Sequence, residues 1–430
     1  MMIENGGELE RTFHSRLKAP LSPTEESTLH ISAQSSLAKL IRMSKLLMVD
    51  EATMLDRYNL EAMDRSLRDL MNHPDDAFGG KIVILAGDFR QCLPVVPGAT
   101  RPGTIKHCIN KSHLWSKFKV LCLTKNMRVR ACGDPQLQAF DDWTLSIGNG
   151  TIDAPDIPST MIGTEITPNN PKNSNSEGQA MQEFCLKMFP NIEQNLSVAG
   201  WLDGRTILAA TNKEVASLNA ILNDMLPGTG DIFSSSDTLE NDEDLLRFNT
   251  EYLNTLLPNG FPPHILVLKP GMPLMLLRNL NPRQGLCNGS RLVYERSLNS
   301  KVLQCKLVGS DRTVLIPRIT FVPKDRDYPF CWQRRQFPVK QAFAMTINKS
   351  QGKKNSDIEM IRHCIIIGQT LKQAGLWLRT QVFTHGQLYV ALSRVGSPDR
   401  IKMAIMKDKT GALESVKNVV FKEVLLNNNT

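Results

Sequence analysis

Two short apolar runs, each ending in acid, set the frame for what this chain can fold into. Leu46-Leu47-Met48-Val49 runs straight into Asp50-Glu51, and about forty residues later Ile82-Val83-Ile84-Leu85-Ala86 runs into Gly87-Asp88. Apolar runs of this length read as buried strands of a parallel sheet. Between them Leu60, Met63, Leu67, Leu70 and Met71 recur at helical spacing, so the order is strand, core-facing helix, strand. In parallel α/β sheets ligands lie beyond the carboxyl ends of the strands. That places Asp50, Glu51 and the Gly87-Asp88 turn where phosphates and a metal ion would be handled. Gln91 then stands where an amide could bond a γ-phosphate or the attacking water.

Composition narrows the class of partner. At 430 residues the chain is long enough for two or three domains, and 41% hydrophobic with 22% charged residues is the balance of a soluble globular protein. A net charge of +8 favours a polyanionic partner. Nine cysteines without a C-x-x-C pair read as reduced thiols, which excludes a zinc site and a disulfide frame. No apolar run reaches membrane-spanning length, and the first residues show neither a signal peptide nor an Arg-rich presequence, so no membrane association is expected.

Along the chain, His14, Ser15 and Arg16 precede a Pro/Ser/Thr-rich loop and are candidates for a phosphate backbone. A helix is expected around Leu37 to Arg42 and a third strand over Val120 to Leu123, leading to Arg128, whose planar guanidinium suits a transferring phosphate. Thr151 to Gly178 reads as a linker or long surface loop. The run Arg205 to Ala210 should be a strand, followed by the capping box Thr211-x-x-Glu214 and a helix burying Val215, Leu218 and Leu222. Asp237 to Asp244 reads as a solvated acidic stretch. Residues 264 to 330 break into short apolar runs between Pro and Gly turns, with Asn288-Gly289 a turn signal: a small β-rich insert. Phe337 to Gly352 takes a short strand into a cluster of donors suited to phosphate. Finally Leu388, Ala391, Leu392 and Val395 form a helical stripe, with Gln387 and Arg394 on the neighbouring polar face.

Six of these stretches in one order resemble the Pif-type DNA helicases of superfamily 1B, including those encoded by Helitron transposons. They are Leu-Met-Val-Asp-Glu-Ala, Ala-Gly-Asp-Phe-Arg-Gln-Cys-Leu-Pro-Val, Leu-Thr-Lys-Asn-Met-Arg, Leu-Leu-Arg-Asn-Leu with Gly-Leu-Cys-Asn-Gly-Ser-Arg-Leu, Ala-Phe-Ala-Met-Thr-Ile-Asn-Lys-Ser-Gln-Gly, and His-Gly-Gln-Leu-Tyr-Val-Ala-Leu-Ser-Arg. The resemblance spans residues 11 to 403. It implies an α/β protein of two RecA-like P-loop NTPase domains with a small SH3-like β insert. It further implies an ATP-dependent 5′-to-3′ helicase acting on single-stranded DNA and DNA forks, in repair, recombination and telomere or genome maintenance, in the nucleus or the mitochondrion, as a monomer. ATP is the implied substrate and Mg²⁺ the implied cofactor. Carried onto this chain, Asp50 would hold Mg²⁺, Glu51 would activate water and Gln91 would sense the γ-phosphate. Arg128 and Arg394 would meet its transition-state charge. Asp88 and Gln387 would line the nucleotide site, and His14, Thr346 and Lys349 would contact the DNA backbone.

The expected domains are 1–150 as a partial first RecA-like domain, 151–200 as linker, 201–263 and 333–415 as the two parts of the second, 264–332 as the SH3-like insert, and 416–430 as a tail. Two departures accompany the resemblance. No G-x-x-x-x-G-K-[ST] occurs, so the first domain is expected to be incomplete, with a sheet edge and apolar surface exposed. Lys353 to Gly368 separates Ser350-Gln351-Gly352 from Gln369-Thr370-Leu371-Lys372, which such helicases run together; a gene-model origin explains both departures. The alternative function is a catalytically inactive transposon-derived fragment with residual single-stranded DNA binding.

Overall fold

The computed structural model of the chain describes residues 2–3, 13–124, 126, 135–153, 156–166, 176–196, 198, 201–202, 204–241, 247–258, 260–281, 284–310, 312–323, 328–351, 371–407 and 412–426. The chain divides into two compact units, one built from Met1–Asp156, Val382–Ser393 and Ser415–Thr430, the other from Ile157–Gln381 and Arg394–Glu414.

In the first unit, β1 (Met2–Ile3), β2 (Leu46–Val49) and β3 (Ile82–Leu85) form a sheet in that order, β1 antiparallel and β3 parallel to β2. The connection from β2 to β3 is the helix Arg57–Met71. Asp56 caps it by accepting from the Tyr58 amide at 2.9 Å, and Asn72 closes it in the left-handed conformation. Leu60, Met63 and Leu67 are fully buried under the sheet with Leu47 and Val49. Each such burial contributes about 1.5–3 kcal/mol relative to exposure. The sequence expectation of a strand, helix and strand holds here in order.

Two expectations for this unit do not hold. β3 is not buried on both faces: Ile82 and Ile84 are 64% and 43% exposed. Residues 120–123 form no strand, and Leu121 and Leu123 are 78% and 86% exposed. The run is apolar enough for a strand, but among the described residues no neighbour offers it a ladder.

The second unit carries two sheets of different character. Its strands are β4 (Ile162–Ile166), β5 (Arg205–Ala209), β6 (Asp231–Ser234), β7 (Ser236–Leu239) and β8 (Ile265–Leu268). Next come β9 (Pro273–Leu276), β10 (Arg291–Leu298), β11 (Val302–Leu307), β12 (Thr313–Pro317) and β13 (Ile319–Phe321). β14 (Trp332–Gln336), β15 (Val339–Gln341), β16 (Ala344–Thr346), β17 (Gln373–Leu378) and β18 (Ile401–Met406) complete them. The order β16-β5-β17-β18-β4 is parallel throughout, with Ile207 opposite Ala344 on one side and Gly375 on the other. Ile207, Leu208 and Ala209 are all fully buried, as a central parallel strand requires. The helices Ser176–Met188 and Asn212–Asp224 pack here, bringing Phe184, Leu218 and Leu222 into a core shared with Trp377 and Phe343.

Residues 264–332, read as a β-rich insert, carry β8 to β13, but the antiparallel sheet β12-β11-β10-β9-β15, the smaller sheet β13-β14-β7 and the pair β6-β8 also draw on β6, β7, β14 and β15, which reach outside those bounds. Three readings are corrected in this unit. Within the expected linker 151–178, Ile162–Ile166 is β4, hydrogen-bonded to β18. The helix Ser176–Met188 follows it, also inside the stretch 151–200 expected to be linker. Asp237 is not solvated: its carboxylate is completely buried on the equally buried Arg334, with Arg334 Nη2 to Oδ2 at 2.6 Å and Nε to Oδ1 at 2.9 Å. Arg334 also donates to the Leu253, Leu256 and Pro262 carbonyls, so the guanidinium is fully engaged.

Candidate nucleotide and nucleic-acid sites

The ends of β2 and β3 are tied together past the strands themselves. Ala86 N donates to the Val49 carbonyl and Ala52 N to the Ala86 carbonyl, both at 2.8 Å, so the two acid-bearing turns are held side by side. Glu51 occupies the left-handed region at φ 52°, an unusual place for a residue with a Cβ. Its amide donates to Asp50 Oδ1 at 3.1 Å, and both side chains are half-buried. Gly87 sits in a close approach: a Cβ there would stand 3.1 Å from Thr53 Cγ2 and 3.2 Å from Ala52 N, so a larger residue would have to push these neighbours back by a few tenths of an ångström.

Asp88 is committed to structure. Its Oδ1 accepts from Arg90 N at 3.0 Å and its Oδ2 from the Tyr389 hydroxyl at 2.9 Å. Burial, then the Asp88 carboxylate, pushes the Tyr389 hydroxyl up, which keeps it a donor. Gln91 follows at the end of this turn, with its Oε1 buried and without a hydrogen-bond partner. The turn is backed by Thr384–Gln387. His385 Nε2 donates to the Phe89 carbonyl at 2.7 Å while its Nδ1 accepts from Phe421 N at 2.8 Å, an arrangement that fits the neutral ring. Burial, the first of several influences, lowers its basicity to match. Gly386 (φ 73°) lies against the Arg90 and Gln91 backbone. His385 and Tyr389 were not singled out from the sequence. Their signal was their place in the final motif, beside residues chosen for charge.

Gln387 is buried, and its Oε1 accepts from the Phe383 and Thr384 amides at 3.0 and 3.1 Å. The helix it opens, Gln387–Leu392, is shorter than the stripe suggested and buried on every side, so no polar face carries Arg394. Arg394 lies past the helix, in the second unit, buried, with Nη1 donating to the Ser350 carbonyl at 3.0 Å. His14 belongs to the helix Phe13–Leu17, where Asn59 Nδ2 donates to its Nε2 at 3.2 Å and burial lowers its pKa. Arg16 is buried. Arg128 and the stretch Lys353 to Gly368 lie outside the described residues.

In the second unit β16 ends at Thr346, which starts the helix Ile347–Ser350 without capping it through its hydroxyl. Thr346 is half-buried and Lys349 exposed. Asp50 carries a carboxylate of the kind that could hold a metal, and among the described residues no three acidic, histidine or cysteine side chains cluster. No helix among the described residues is long and apolar enough to cross a membrane.

A family model described as PIF1-like helicase matches residues 2–157, and one described as DNA helicase Pif1, 2B domain, matches residues 251–294. The ATP-dependent DNA helicase PIF1 of Danio rerio is 24% identical over 365 residues, covering 84% of this chain and 46% of its own length. That of Homo sapiens is 26% identical over 362 residues, covering 82% and 44%. The chain spans about half the length of the curated relatives it matches. Among solved structures, Bacteroides Pif1 bound to ssDNA aligns over 96% of this chain and 80% of its own, with a TM-score of 0.61 and 19% identity. Bacteroides Pif1 in complex with ADP-AlF3 and ssDNA aligns over 94% and 80%, TM-score 0.61, 20% identity. Candida albicans Pif1 gives 94% and 82%, TM-score 0.58, 21% identity. The shared fold is α/β with two RecA-like domains. Residues 2–157 and 251–294 are thus similar to Pif1 helicase family models, and the fold is the one that the Pif1 structures share.

Proposed function

We propose that this chain is the motor portion of an ATP-dependent DNA helicase that couples ATP hydrolysis to 5′-to-3′ movement on single-stranded DNA and to unwinding at forks, in DNA repair, recombination and genome maintenance. The observation that carries the reading is the pair of acid-bearing turns, Asp50-Glu51 and Gly87 to Gln91, locked side by side at the ends of two parallel strands. Asp50 is the residue to hold Mg²⁺ beside the nucleotide phosphates, and Mg²⁺ there supplies charge neutralisation of those phosphates. Glu51 orients and deprotonates the attacking water, and the unpartnered Gln91 Oε1 is available to it or to the γ-phosphate. Asp88 contributes by holding the turn that aims Gln91, and Gln387 by fixing the loop behind it. Arg128 and Arg394 are the cations for the transferring phosphoryl group. Thr346 and Lys349 are proposed for the DNA backbone. His14 is a weaker candidate there, since Asn59 already engages its ring.

The test is single-stranded-DNA-stimulated ATP hydrolysis by this chain and by one extended upstream through a G-x-x-x-x-G-K-[ST] loop and relieved of Lys353 to Gly368. Hydrolysis in the extended chain, lowered about 10²–10⁴-fold by Glu51→Gln, is the expected result. Hydrolysis that survives Glu51→Gln would refute the assignment of the base. Hydrolysis in neither chain leaves the inactive, transposon-derived remnant as the better reading.

A further inference from the structure

The turn at residues 87–91 is gripped at both polar atoms of one peptide. The peptide that joins Phe89 to Arg90 is planar, so fixing its oxygen and its nitrogen fixes its orientation. Arg90 N donates to Asp88 Oδ1 at 3.0 Å, and the Phe89 carbonyl accepts from His385 Nε2 at 2.7 Å. The Phe89 ring is itself lodged against Trp115, with centroids 5.8 Å apart. Gln91 comes next, its N donating to the Asp88 carbonyl at 3.0 Å. His385 is 2% exposed, and the group that holds its other nitrogen comes from far along the chain: Phe421 N donates to Nδ1 at 2.8 Å. A backbone N–H only donates, so it demands the lone pair of Nδ1 and leaves the ring proton on Nε2, where the Phe89 carbonyl needs it. Without that amide the proton is free to sit on Nδ1, and Nε2 then turns a lone pair on the carbonyl. Residues 415–426 bring Phe421 to this place and are fastened on either side of it. Asn418 Nδ2 donates to the Ile147 and Ile152 carbonyls at 2.9 and 2.8 Å, and the Val419 carbonyl accepts from Gly386 N at 3.0 Å. Beyond, Arg101 lies over the Phe421 ring at 4.7 Å and pairs with Glu423, and Val424 is fully buried.

We propose that residues 415–426 are a strap that acts on the turn through His385, a positioning residue: by fixing the tautomer of the ring, the seated strap holds the Phe89–Arg90 peptide and with it the aim of Gln91. The inference rests on the hydrolytic reading above. It adds to that reading a residue that works through Gln91 and a segment that works through that residue, so hydrolysis follows whether the strap is seated or lifted.

Two substitutions split the two roles of the ring. The amide of a Gln reaches as far as Nε2 and donates to Phe89 whatever the strap does, whereas that of an Asn sits near Nδ1 and meets only Phe421. Hydrogen exchange resolved by peptide on the full chain reads both places without any need for hydrolysis. Asn418→Ala unfastens the strap away from the ring. It should speed exchange in residues 415–426 and, by about 3- to 10-fold, in residues 86–92. In the His385→Gln background it should speed the strap alone. His385→Asn should loosen the turn while the strap stays protected. A turn that keeps its protection in Asn418→Ala as the strap exchanges faster, or one that loosens equally in both backgrounds, overturns the inference. The second measurement is hydrolysis by the chain extended through a G-x-x-x-x-G-K-[ST] loop. His385→Asn should lower kcat by up to about 10²-fold at an unchanged KM for ATP, and His385→Gln should keep it. A raised KM at unchanged kcat in His385→Asn also overturns the positioning role. The expected exchange pattern with no hydrolysis at all in the extended chain would leave the strap standing and sink the hydrolytic reading instead.

Discussion

Glu51 shows at the scale of one residue how function and stability pull apart. Its left-handed backbone costs an L-residue about 1–2 kcal/mol, which glycine avoids while losing about 0.5–1 kcal/mol of chain entropy. Glu51→Gly should therefore leave folding stability unchanged or raise it by up to about 1 kcal/mol in urea titration, while hydrolysis by the P-loop-bearing chain disappears. A loss of more than about 1 kcal/mol would show that the carboxylate, not the backbone, sets the geometry of the turn. His385 makes a pH-dependent counterpart. Its folded-state pKa lies below the ordinary 6.5, chiefly because it is buried, so the unfolded chain binds this proton more readily. Its contribution to stability is complete above that value and is lost as the pH falls through the folded one. In His385→Gln the urea midpoint should vary less with pH below 6.5. An identical acid limb in both proteins would remove His385 from the account. Asp50 and Glu51 were legible in sequence because an apolar run into two acids is a local pattern. His385 was not, since its partners, Phe89 and Phe421, are distant in the chain.

Elements were legible where their partners lie close in sequence and obscure where they do not. The helix Asn212–Asp224 announced itself through Thr211 and Glu214, and Thr211 Oγ1 does accept from the Glu214 amide, at 3.3 Å. The Glu214 carboxylate, however, bonds the Thr211 hydroxyl and the Thr380 amide, so the box is closed by a distant strand end. Asp237 was misread for the same reason: an acidic neighbourhood says solvent, and the arginine that buries it arrives on β14. Asp237→Ala should cost about 3–5 kcal/mol by leaving Arg334 uncompensated, whereas Asp237→Leu with Arg334→Met should recover most of it. Equal losses in the single and double variants, by chemical denaturation, would mean that the pair is not the unit of stability. The loop before the helix Gln387–Leu392 is similarly exacting. Gly386→Ala adds a methyl against the Arg90 and Gln91 backbone at a positive φ, and should cost at least about 2 kcal/mol.

Over the whole molecule, β5 and the β-rich stretch after it follow from apolar runs and turn residues visible in sequence, whereas β4 was read as linker and β17 and β18 were not singled out. What no run of residues announces is that Val382–Ser393 and Ser415–Thr430 pack with residues 1–156. Val424 is fully buried in the first unit's core, Asn110 Nδ2 donates to its carbonyl at 2.9 Å, and Arg101 pairs with Glu423 at 2.8 Å. Removing Ser415–Thr430 should lower the melting of the first unit and leave the second nearly unmoved. Hydrogen exchange resolved by peptide checks this, and uniform loss of protection in both units would contradict it. The same threading has a consequence for synthesis. A ribosome delivers the first unit's sheet early, but the Val424 side chain of that unit's core arrives only after the second unit's sheets have already emerged. The part made first must then be the part completed last. Until the tail arrives, its half-built apolar face depends on whatever holds nascent chains apart.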